Sequence, residues 1–391
     1  ITMSAFRVLS TEILKGFDKY KYSSVDTGLV SVYITHPFWN WVVEFMPLWV
    51  APNLLTLTGF AQLLVNFALL SYYDPHFYAS SHHPDYYPIP NWVWLVCAIN
   101  NFVSHTLDGI DGKQARRTKS SSPLGELFDH GLDSWATMFI PTAMYSVFGR
   151  GVYGADVYRV YLVMIGIMFC FIASHWEKYN TGVLFLPWGY DVGQIAITVV
   201  YLITFFFGYE FWKFTVPVFN TTAATFFEYT CYVGFIGLTF PPTLWNIYKS
   251  YRDKTGHMRP FTEAMRPLVS TVILFSLMLT WSNFSSYNIV YQQPRLFYWT
   301  TGTVFAYITC KLIIAQMSNT RCELLNWLLI PLMTIVLTTS LLSLGVLELY
   351  LLWGYCLLVT ITHVHFGVCV VKELCIYLKI NAFTITKKTK E

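Results

Sequence analysis

The sequence predicts an all-α polytopic membrane protein, with about ten transmembrane helices and an interfacial N-terminal segment. Composition is the first reason, because only 12% of the 391 residues are charged and 55% are hydrophobic, whereas soluble domains carry about 25% charged residues. The second is a series of apolar runs of about 20 residues, the length a helix needs to cross the hydrocarbon core. The third is the concentration of Lys and Arg in alternate loops.

The first 49 residues are expected to lie at the membrane surface, without a cleavable signal peptide. Aromatic and basic side chains are interleaved there, at Phe17, Tyr20, Tyr22, Phe38, Trp39 and Trp41 and at Lys15, Lys19 and Lys21. The predicted transmembrane helices follow near residues 50–72, 91–107, 125–149, 156–177, 189–208, 223–247, 266–282, 296–317, 323–345 and 347–371. The second, third and fourth of them contain polar residues that are unusual at membrane depth.

Basic residues orient these helices, because loops rich in Lys and Arg stay cytosolic. The loop at 73–90 contains neither residue, whereas the loops near 113–119 and 249–266 contain many. Basic residues also mark the N-terminal segment and the C-terminal tail, the latter at Lys387, Lys388 and Lys390. Both termini are therefore predicted to be cytosolic. The net charge of +3 is too small to indicate nucleic-acid binding, and eight cysteines without a CxxC pair indicate no zinc site.

The stretch from residue 107 to 135 differs from everything around it, because acidic residues accumulate between two apolar helices. It contains five of the chain's 22 acidic residues, namely Asp108, Asp111, Glu126, Asp129 and Asp133. An Asp at the centre of a membrane helix costs roughly 2.5–3.5 kcal/mol on insertion scales. A specific partner for these carboxylates is therefore expected.

Helical spacing indicates what that partner is. Asp108 and Asp111 are three residues apart on the second helix, and Asp129 and Asp133 are four apart on the third, so that each pair shares one helix face. Ser122 is a plausible N-cap followed by a proline at the first helical position, which makes the two helices antiparallel neighbours. Four converging carboxylates suit hard divalent cations with oxygen ligands. We infer two Mg²⁺ ions that bridge substrate phosphates.

Small and basic residues beside the acids fit the same interpretation. Gly112 and Gly125 remove side chains where a bulky ligand can approach, and Arg116 is placed for bidentate contact with phosphate oxygens. The alternative is a buried ion network in which the acids pair with basic residues of the same stretch, namely Lys113, Arg116 and Arg117.

The complete pattern D-x-x-D-G-x-x-A-R-x8-G-x3-D-x3-D is present. Its fixed positions are Asp108, Asp111, Gly112, Ala115, Arg116, Gly125, Asp129 and Asp133. This pattern resembles the signature of the CDP-alcohol phosphotransferase family. Further segments between residues 16 and about 332, among them HPFWN, WVAPNLLTLTGF and SHWEKYNTG, resemble eukaryotic members that use CDP-ethanolamine.

The resemblance implies transfer of phosphoethanolamine from CDP-ethanolamine to diacylglycerol or alkylacylglycerol, with release of CMP. It implies two Mg²⁺ ions, for which Mn²⁺ can substitute. Asp108, Asp111 and Asp129 would be metal ligands, and Asp133 a ligand or the general base. The nucleotide and its diphosphate would be bound by Gly112, Ala115, Arg116 and Gly125. Asn53 resembles a family position near the nucleotide, although a role as helix N-cap explains it equally well.

The resemblance also suggests His130 as the base that deprotonates the glycerol hydroxyl, assisted by Glu126. A metal-bound Asp is a poor base because the cations depress its pKa, whereas a His titrates near neutrality. We therefore favour His130 over Asp133. Glu177, Tyr179 and Asn180 are a weaker hypothesis for the alcohol pocket.

The resemblance further implies a homodimer in the endoplasmic reticulum or Golgi membrane, with a cytosolic active site. We expect an interfacial segment at 1–49, catalytic helices at 50–250, further transmembrane helices at 251–375 and a cytosolic tail at 376–391. Two substrate alternatives are a cholinephosphotransferase and an enzyme of dual choline and ethanolamine specificity. A cation-coupled transporter is less favoured, because transporters place discontinuous helices in both halves and these acids occupy one half. A non-catalytic scaffold would not require four aspartates.

Overall fold

The structure is a computed structural model, and it is described for residues 7–186 and 188–385. Lys387, Lys388 and Lys390, which were predicted to mark a cytosolic tail, lie outside this range. The first elements are short. They are α1 (Thr11–Phe17), β1 (Ser24–Val25), a π-helical segment (Ser31–Thr35) and α2 (His36–Glu44).

Long helices make up most of the remaining chain, in agreement with the predicted all-α membrane fold. The next elements are α3 (Pro52–Tyr73), α4 (Asn91–Arg117), α5 (Pro123–Phe148), α6 (Val157–Thr181), β2 (Leu184–Phe185) and α7 (Gly189–Phe207). A 3-10 turn (Tyr209–Trp212), β3 (Thr215–Val216), β4 (Thr221–Thr222), α8 (Ala223–Val233), a second π-helical segment (Gly234–Thr239) and α9 (Phe240–Asp253) follow. The last elements are α10 (Phe261–Phe284), α11 (Ile289–Gln292), α12 (Pro294–Ser318), α13 (Leu329–Leu341) and α14 (Leu347–Leu378).

Each predicted transmembrane run contains a helix, and the sixth runs through α8, the second π-helical segment and α9. Five of these helices are long and apolar enough to cross a membrane, namely α3, α6, α7, α10 and α14. The ninth run was predicted at 323–345, but α13 has only 13 residues. The chain before it is held in turns by Asn326, whose backbone N–H donates to Ser270 Oγ at 2.9 Å and whose Oδ1 accepts from Leu328 N at 3.1 Å.

Helix α12 lies at the centre of the bundle, where it packs against α5, α6, α10 and α14. Its start is fixed by a buried arginine at the end of the bundle opposite the acidic residues. Arg295 donates to the Asp74 carbonyl at 2.9 Å and to Ser146 Oγ at 2.6 Å, and its guanidinium lies 4.0 Å from the Asp74 carboxylate. Removing either charged partner would leave the other buried without its counter-charge.

Helices α4 and α5 run antiparallel, as the sequence predicted, and α3 packs against both of them. The Ser122 side chain caps α5 by accepting from Gly125 N at 3.3 Å, and Pro123 occupies the first turn. This confirms the predicted start of the helix. The result brings the C-terminal half of α4 beside the N-terminal half of α5, which is where the acidic residues lie.

Candidate active site

Four aspartates from α4 and α5 converge at this end of the bundle. Carboxylate oxygens of Asp108, Asp111 and Asp129 all lie within 4.8 Å of one another. Ligand atoms of Asp129, His130 and Asp133 form a second group within the same 4.8 Å. Asp129 belongs to both groups, so the two helices share one acidic centre that extends along α5.

The geometry of this centre fits divalent cations. Carboxylate oxygens of Asp108 and Asp129 lie within 4.8 Å of each other, and like charges at that separation repel. Asp129 Oδ1 is buried and has no hydrogen-bond partner among the described residues. A buried polar atom without a partner is costly, and a hard cation bound by several carboxylate oxygens removes both penalties.

Residues outside the motif orient two of the aspartates. The Thr56 hydroxyl on α3 donates to Asp111 Oδ2 at 2.5 Å. The Tyr190 phenol at the start of α7 donates to Asp108 Oδ2 at 3.2 Å. Partners of this kind fix the orientation of metal-binding carboxylates.

Tyr190 is in turn positioned through its neighbour Asp191, a buried residue on α7. Asp191 Oδ1 lies 2.8 Å from His105 Nε2, and Oδ2 accepts from Ser31 at 2.6 Å and Thr35 at 2.8 Å. His105 precedes Asp108 by one turn of α4. One carboxylate therefore joins the N-terminal π-helical segment, α4 and α7 beside the aspartate cluster.

The two motif glycines adjoin open space. A Cβ added at Gly112 would meet only Arg116, at 3.7 Å, and one added at Gly125 would meet Asn53 Oδ1 at 3.5 Å. Protein packing thus explains neither glycine. Ala115 lies on the same helix and is half-buried. The backbone at these positions is accessible to a ligand.

Basic residues near the site do not neutralise the aspartates. Lys113 donates to Asn40 Oδ1 at 2.7 Å, and Arg117 donates to backbone carbonyls at the end of α2, including that of Val43 at 2.6 Å. Arg116 is exposed, and within residues 7–186 and 188–385 its side chain has no hydrogen bond or ion pair. These contacts argue against the alternative of a buried ion network and leave Arg116 available for a phosphate.

Asn53 is not the N-cap of α3. That position belongs to Ala51, which has no side-chain cap, and Asn53 lies one residue inside the helix. Its amide donates to the Ala382 carbonyl at 3.0 Å, and its Oδ1 faces Gly125. The capping alternative is therefore wrong, and Asn53 lies next to the motif.

His130 is buried, with its Nδ1 4.0 Å from Asp133 Oδ2 and its ring 5.3 Å from that of His175. Glu126, its predicted assistant, has other partners. The Tyr20 phenol donates to the Glu126 carboxylate at 2.6 Å, and the Lys178 ammonium forms an ion pair with it. Glu126 thus connects the N-terminal segment to α6.

Tyr22 lies beside the same acidic groups, outside the membrane-spanning helices. Burial, together with the charges of Glu126 and Asp129, raises the pKa of its phenol to about 12, although a hydrogen bond with Ser24 and the charge of Arg116 oppose the shift. The phenol is therefore protonated at neutral pH. The N-terminal segment thus supplies two tyrosines near the aspartate cluster.

The segment SHWEKYNTG contributes a different residue from those predicted. Glu177 lies beside Thr243 and Asn246 on α9, the Tyr179 ring stacks under Arg259 at 4.0 Å, and Asn180 donates to the Ala264 carbonyl at 3.3 Å. All three contact elements other than α4 and α5. Lys178 is the member that reaches α5, and a basic residue at the end of an apolar helix was the available signal.

Comparisons with known proteins agree with the motif. Residues 49–227 match the sequence model of the family described as CDP-alcohol phosphatidyltransferase. Human ethanolaminephosphotransferase 1 is 47% identical over 389 residues, which cover 100% of this chain and 97% of the human protein. The mouse protein of that name is also 47% identical, over 390 residues covering 100% of this chain and 97% of its own. Choline/ethanolaminephosphotransferase 1 of Arabidopsis thaliana is 32% identical, covering 95% of this chain and 96% of the plant protein.

Proposed function

The chain belongs to the CDP-alcohol phosphatidyltransferase family, and from that premise we propose that it is an ethanolaminephosphotransferase. It transfers phosphoethanolamine from CDP-ethanolamine to diacylglycerol or alkylacylglycerol and releases CMP. The products are phosphatidylethanolamine or its ether-linked form. Identity of 47% along the whole chain to proteins with that name supports this choice.

The observation that carries the proposal is the convergence of four aspartates from two antiparallel helices. Asp108, Asp111 and Asp129 would hold divalent cations, with Asp133 beside them. Two Mg²⁺ ions, or Mn²⁺ in their place, would neutralise the diphosphate and the negative charge that develops on the leaving CMP. Thr56 and Tyr190 keep the carboxylates of Asp111 and Asp108 in place for that role.

The nucleotide would lie against the open backbone at Gly112 and Gly125. Arg116, without a partner among the described residues, would bind a phosphate oxygen of the diphosphate. Ala115 keeps the adjacent turn of α4 small, and Asn53 extends the same surface on α3.

We assign the general base to His130. The hydroxyl oxygen of the acceptor lipid forms a bond to the phosphorus that carries ethanolamine, and the bond from that phosphorus to the CMP oxygen breaks. CMP leaves with the electron pair, and His130 accepts the hydroxyl proton. Asp133, whose Oδ2 lies 4.0 Å from His130 Nδ1, would be a further ligand of the cations. The assistance of Glu126 to His130 stays a prediction.

The cellular setting is also part of the proposal. We expect a multi-pass protein of the endoplasmic reticulum or Golgi membrane, with both termini and the active site facing the cytosol. That side suits a water-soluble donor such as CDP-ethanolamine, which would enter from the cytosol. We also expect a homodimer, and a division into catalytic helices at 50–250 and further membrane helices at 251–375.

The test is turnover of radiolabelled CDP-ethanolamine by the purified protein in nanodiscs containing diacylglycerol, with Mg²⁺ or with EDTA. We expect Mg²⁺-dependent phosphatidylethanolamine and CMP in equal amounts. Competition with CDP-choline decides the head group, and equal kcat/KM for both donors would support dual specificity instead. Absence of any lipid product from either donor would refute the assignment.

A further inference from the structure

A buried lysine on α6 is enclosed by groups from two other elements. Lys178 is only 3% exposed, and its ammonium forms an ion pair with Glu126 on α5. It donates to the Tyr20 hydroxyl at 2.7 Å and lies 5.3 Å and 5.2 Å from the ring centroids of Tyr20 and Tyr22. Tyr20 donates to Glu126 in turn. The polar groups of Lys178, Glu126 and Tyr20 thus bind one another, and we call these three residues the Lys178 clasp.

The clasp is one of several contacts that hold residues 20–36 against the catalytic helices. Strands β1 and β2 pair Ser24 with Leu184, just after α6. Trp188 donates to Thr27 Oγ1 at 2.7 Å. Further along, the π-helical segment is joined to Asp191, as described above. The clasp is the first of these contacts along the chain, and its Glu126 stands one turn before Asp129 on α5.

We propose that Lys178 is a positioning residue for CDP-alcohol binding, which holds Tyr20 and Glu126 together so that the segment at 20–25 forms a fixed wall beside the aspartate cluster. The inference rests on the proposed function for its substrate. Tyr22 lies in that wall, with its ring centroid 5.2 Å from Lys178 Nζ. A fixed wall lowers the entropy that the protein loses when the donor binds.

This role differs from direct assistance of Glu126 to the base. To turn toward His130, the Glu126 carboxylate would have to leave a buried ammonium without its counter-charge, which is costly. Its action therefore passes through Lys178 and Tyr20. The two roles predict different kinetics: loss of the wall raises KM for CDP-ethanolamine, whereas loss of help to the base lowers kcat.

The experiment compares Lys178→Met and Tyr20→Phe with the parent enzyme in nanodiscs. Both should raise KM for CDP-ethanolamine about tenfold while kcat stays within about threefold, and Lys178→Arg should restore most of the difference. Tyr377→Phe is the matched control, because it removes a 2.6 Å hydrogen bond to Asp18, two residues before Tyr20, outside the clasp. Tyr20→Phe leaves the buried charges of Lys178 and Glu126 paired, and therefore keeps the test decisive if Lys178→Met misfolds.

Hydrogen exchange without substrate supplies a second measurement. Peptides covering residues 19–26 should exchange faster in Lys178→Met and Tyr20→Phe than in the parent or in Tyr377→Phe. Unchanged exchange, or a loss of kcat at constant KM in both variants, would overturn the proposal. Because exchange needs no turnover, failure of the clasp is distinguishable from failure of the assigned reaction.

Discussion

Gly109 and Gly112 lie three residues apart on α4. An added methyl group should destabilise the fold at Gly109 but not at Gly112. A Cβ at Gly109 would lie 2.2 Å from ring carbons of Trp39, whereas a Cβ at Gly112 would meet only Arg116, at 3.7 Å. Gly109 is thus a packing residue beneath α2. Gly112 adjoins the space assigned to the nucleotide.

The expected magnitudes follow from these distances. In a helix, Gly→Ala gains about 0.5–1 kcal/mol from chain entropy. At Gly112 nothing opposes that gain, so Gly112→Ala should fold at least as stably as the parent. At Gly109 the buried Trp39 ring must move, and overpacking costs typically about 1–3 kcal/mol. Gly109→Ala should therefore be less stable.

Activity should show the reverse order, because the change at Gly112 should impair the reaction more than the change at Gly109. The new methyl of Gly112→Ala would occupy space that the diphosphate needs, and a tenfold rise in KM for CDP-ethanolamine corresponds to only about 1.4 kcal/mol of lost binding. Thermal midpoints in detergent and steady-state kinetics in nanodiscs measure the two effects. A Gly112→Ala protein with normal KM and a lowered thermal midpoint would refute the placement of the nucleotide.

Six further variants test the site and its support. Alanine at any of the three proposed metal ligands, Asp108, Asp111 and Asp129, should abolish turnover without loss of expression. Activity within a few-fold of the parent would exclude that residue as a ligand. His130→Ala should lower kcat by roughly 10²–10⁴ with unchanged CDP-ethanolamine binding, and a normal kcat would move the base elsewhere. Thr56→Val, which removes the 2.5 Å hydrogen bond to a proposed ligand, should raise the Mg²⁺ concentration for half-maximal activity by about tenfold, and identical Mg²⁺ titrations would argue against that support. Arg295→Met should destabilise the fold by about 3–5 kcal/mol, seen as a lower thermal midpoint, because it leaves Asp74 buried without its counter-charge.

The local features of the site were predictable from the sequence because they depend on short spacing. Asp108 and Asp111 share a helix face by periodicity, and the Ser-Pro pair announced the start of α5. The partners Thr56, Tyr190 and Lys178 were not predicted, since each reaches the site from a helix that only tertiary packing brings close.

The same limit explains the errors. Asparagine is a residue type that favours the N-cap, yet the helix begins at Pro52, before Asn53. The Asn53 amide instead donates to the carbonyl of Ala382, more than 300 residues later. The ninth apolar run looked continuous because hydropathy does not register the turn that Asn326 stabilises. The partners of Glu126 come from α6 and from the N-terminal segment, which its position four residues before His130 does not reveal. Its assistance to His130 stays a prediction.

Residues near the two ends of the described chain contact each other, which bears on how the protein is assembled. The Glu373 carboxylate near the end of α14 accepts from the backbone N–H groups of Val8 at 2.7 Å and Leu9 at 2.9 Å. During synthesis, all four aspartates are inserted long before Glu373 leaves the ribosome. Contacts so distant in sequence form late. Val8 and Leu9 therefore lack their Glu373 partner until α14 has entered the membrane. A nascent chain arrested before α14 should therefore contain every residue of the acidic motif, while residues 8 and 9 lack this anchor and remain accessible to proteases.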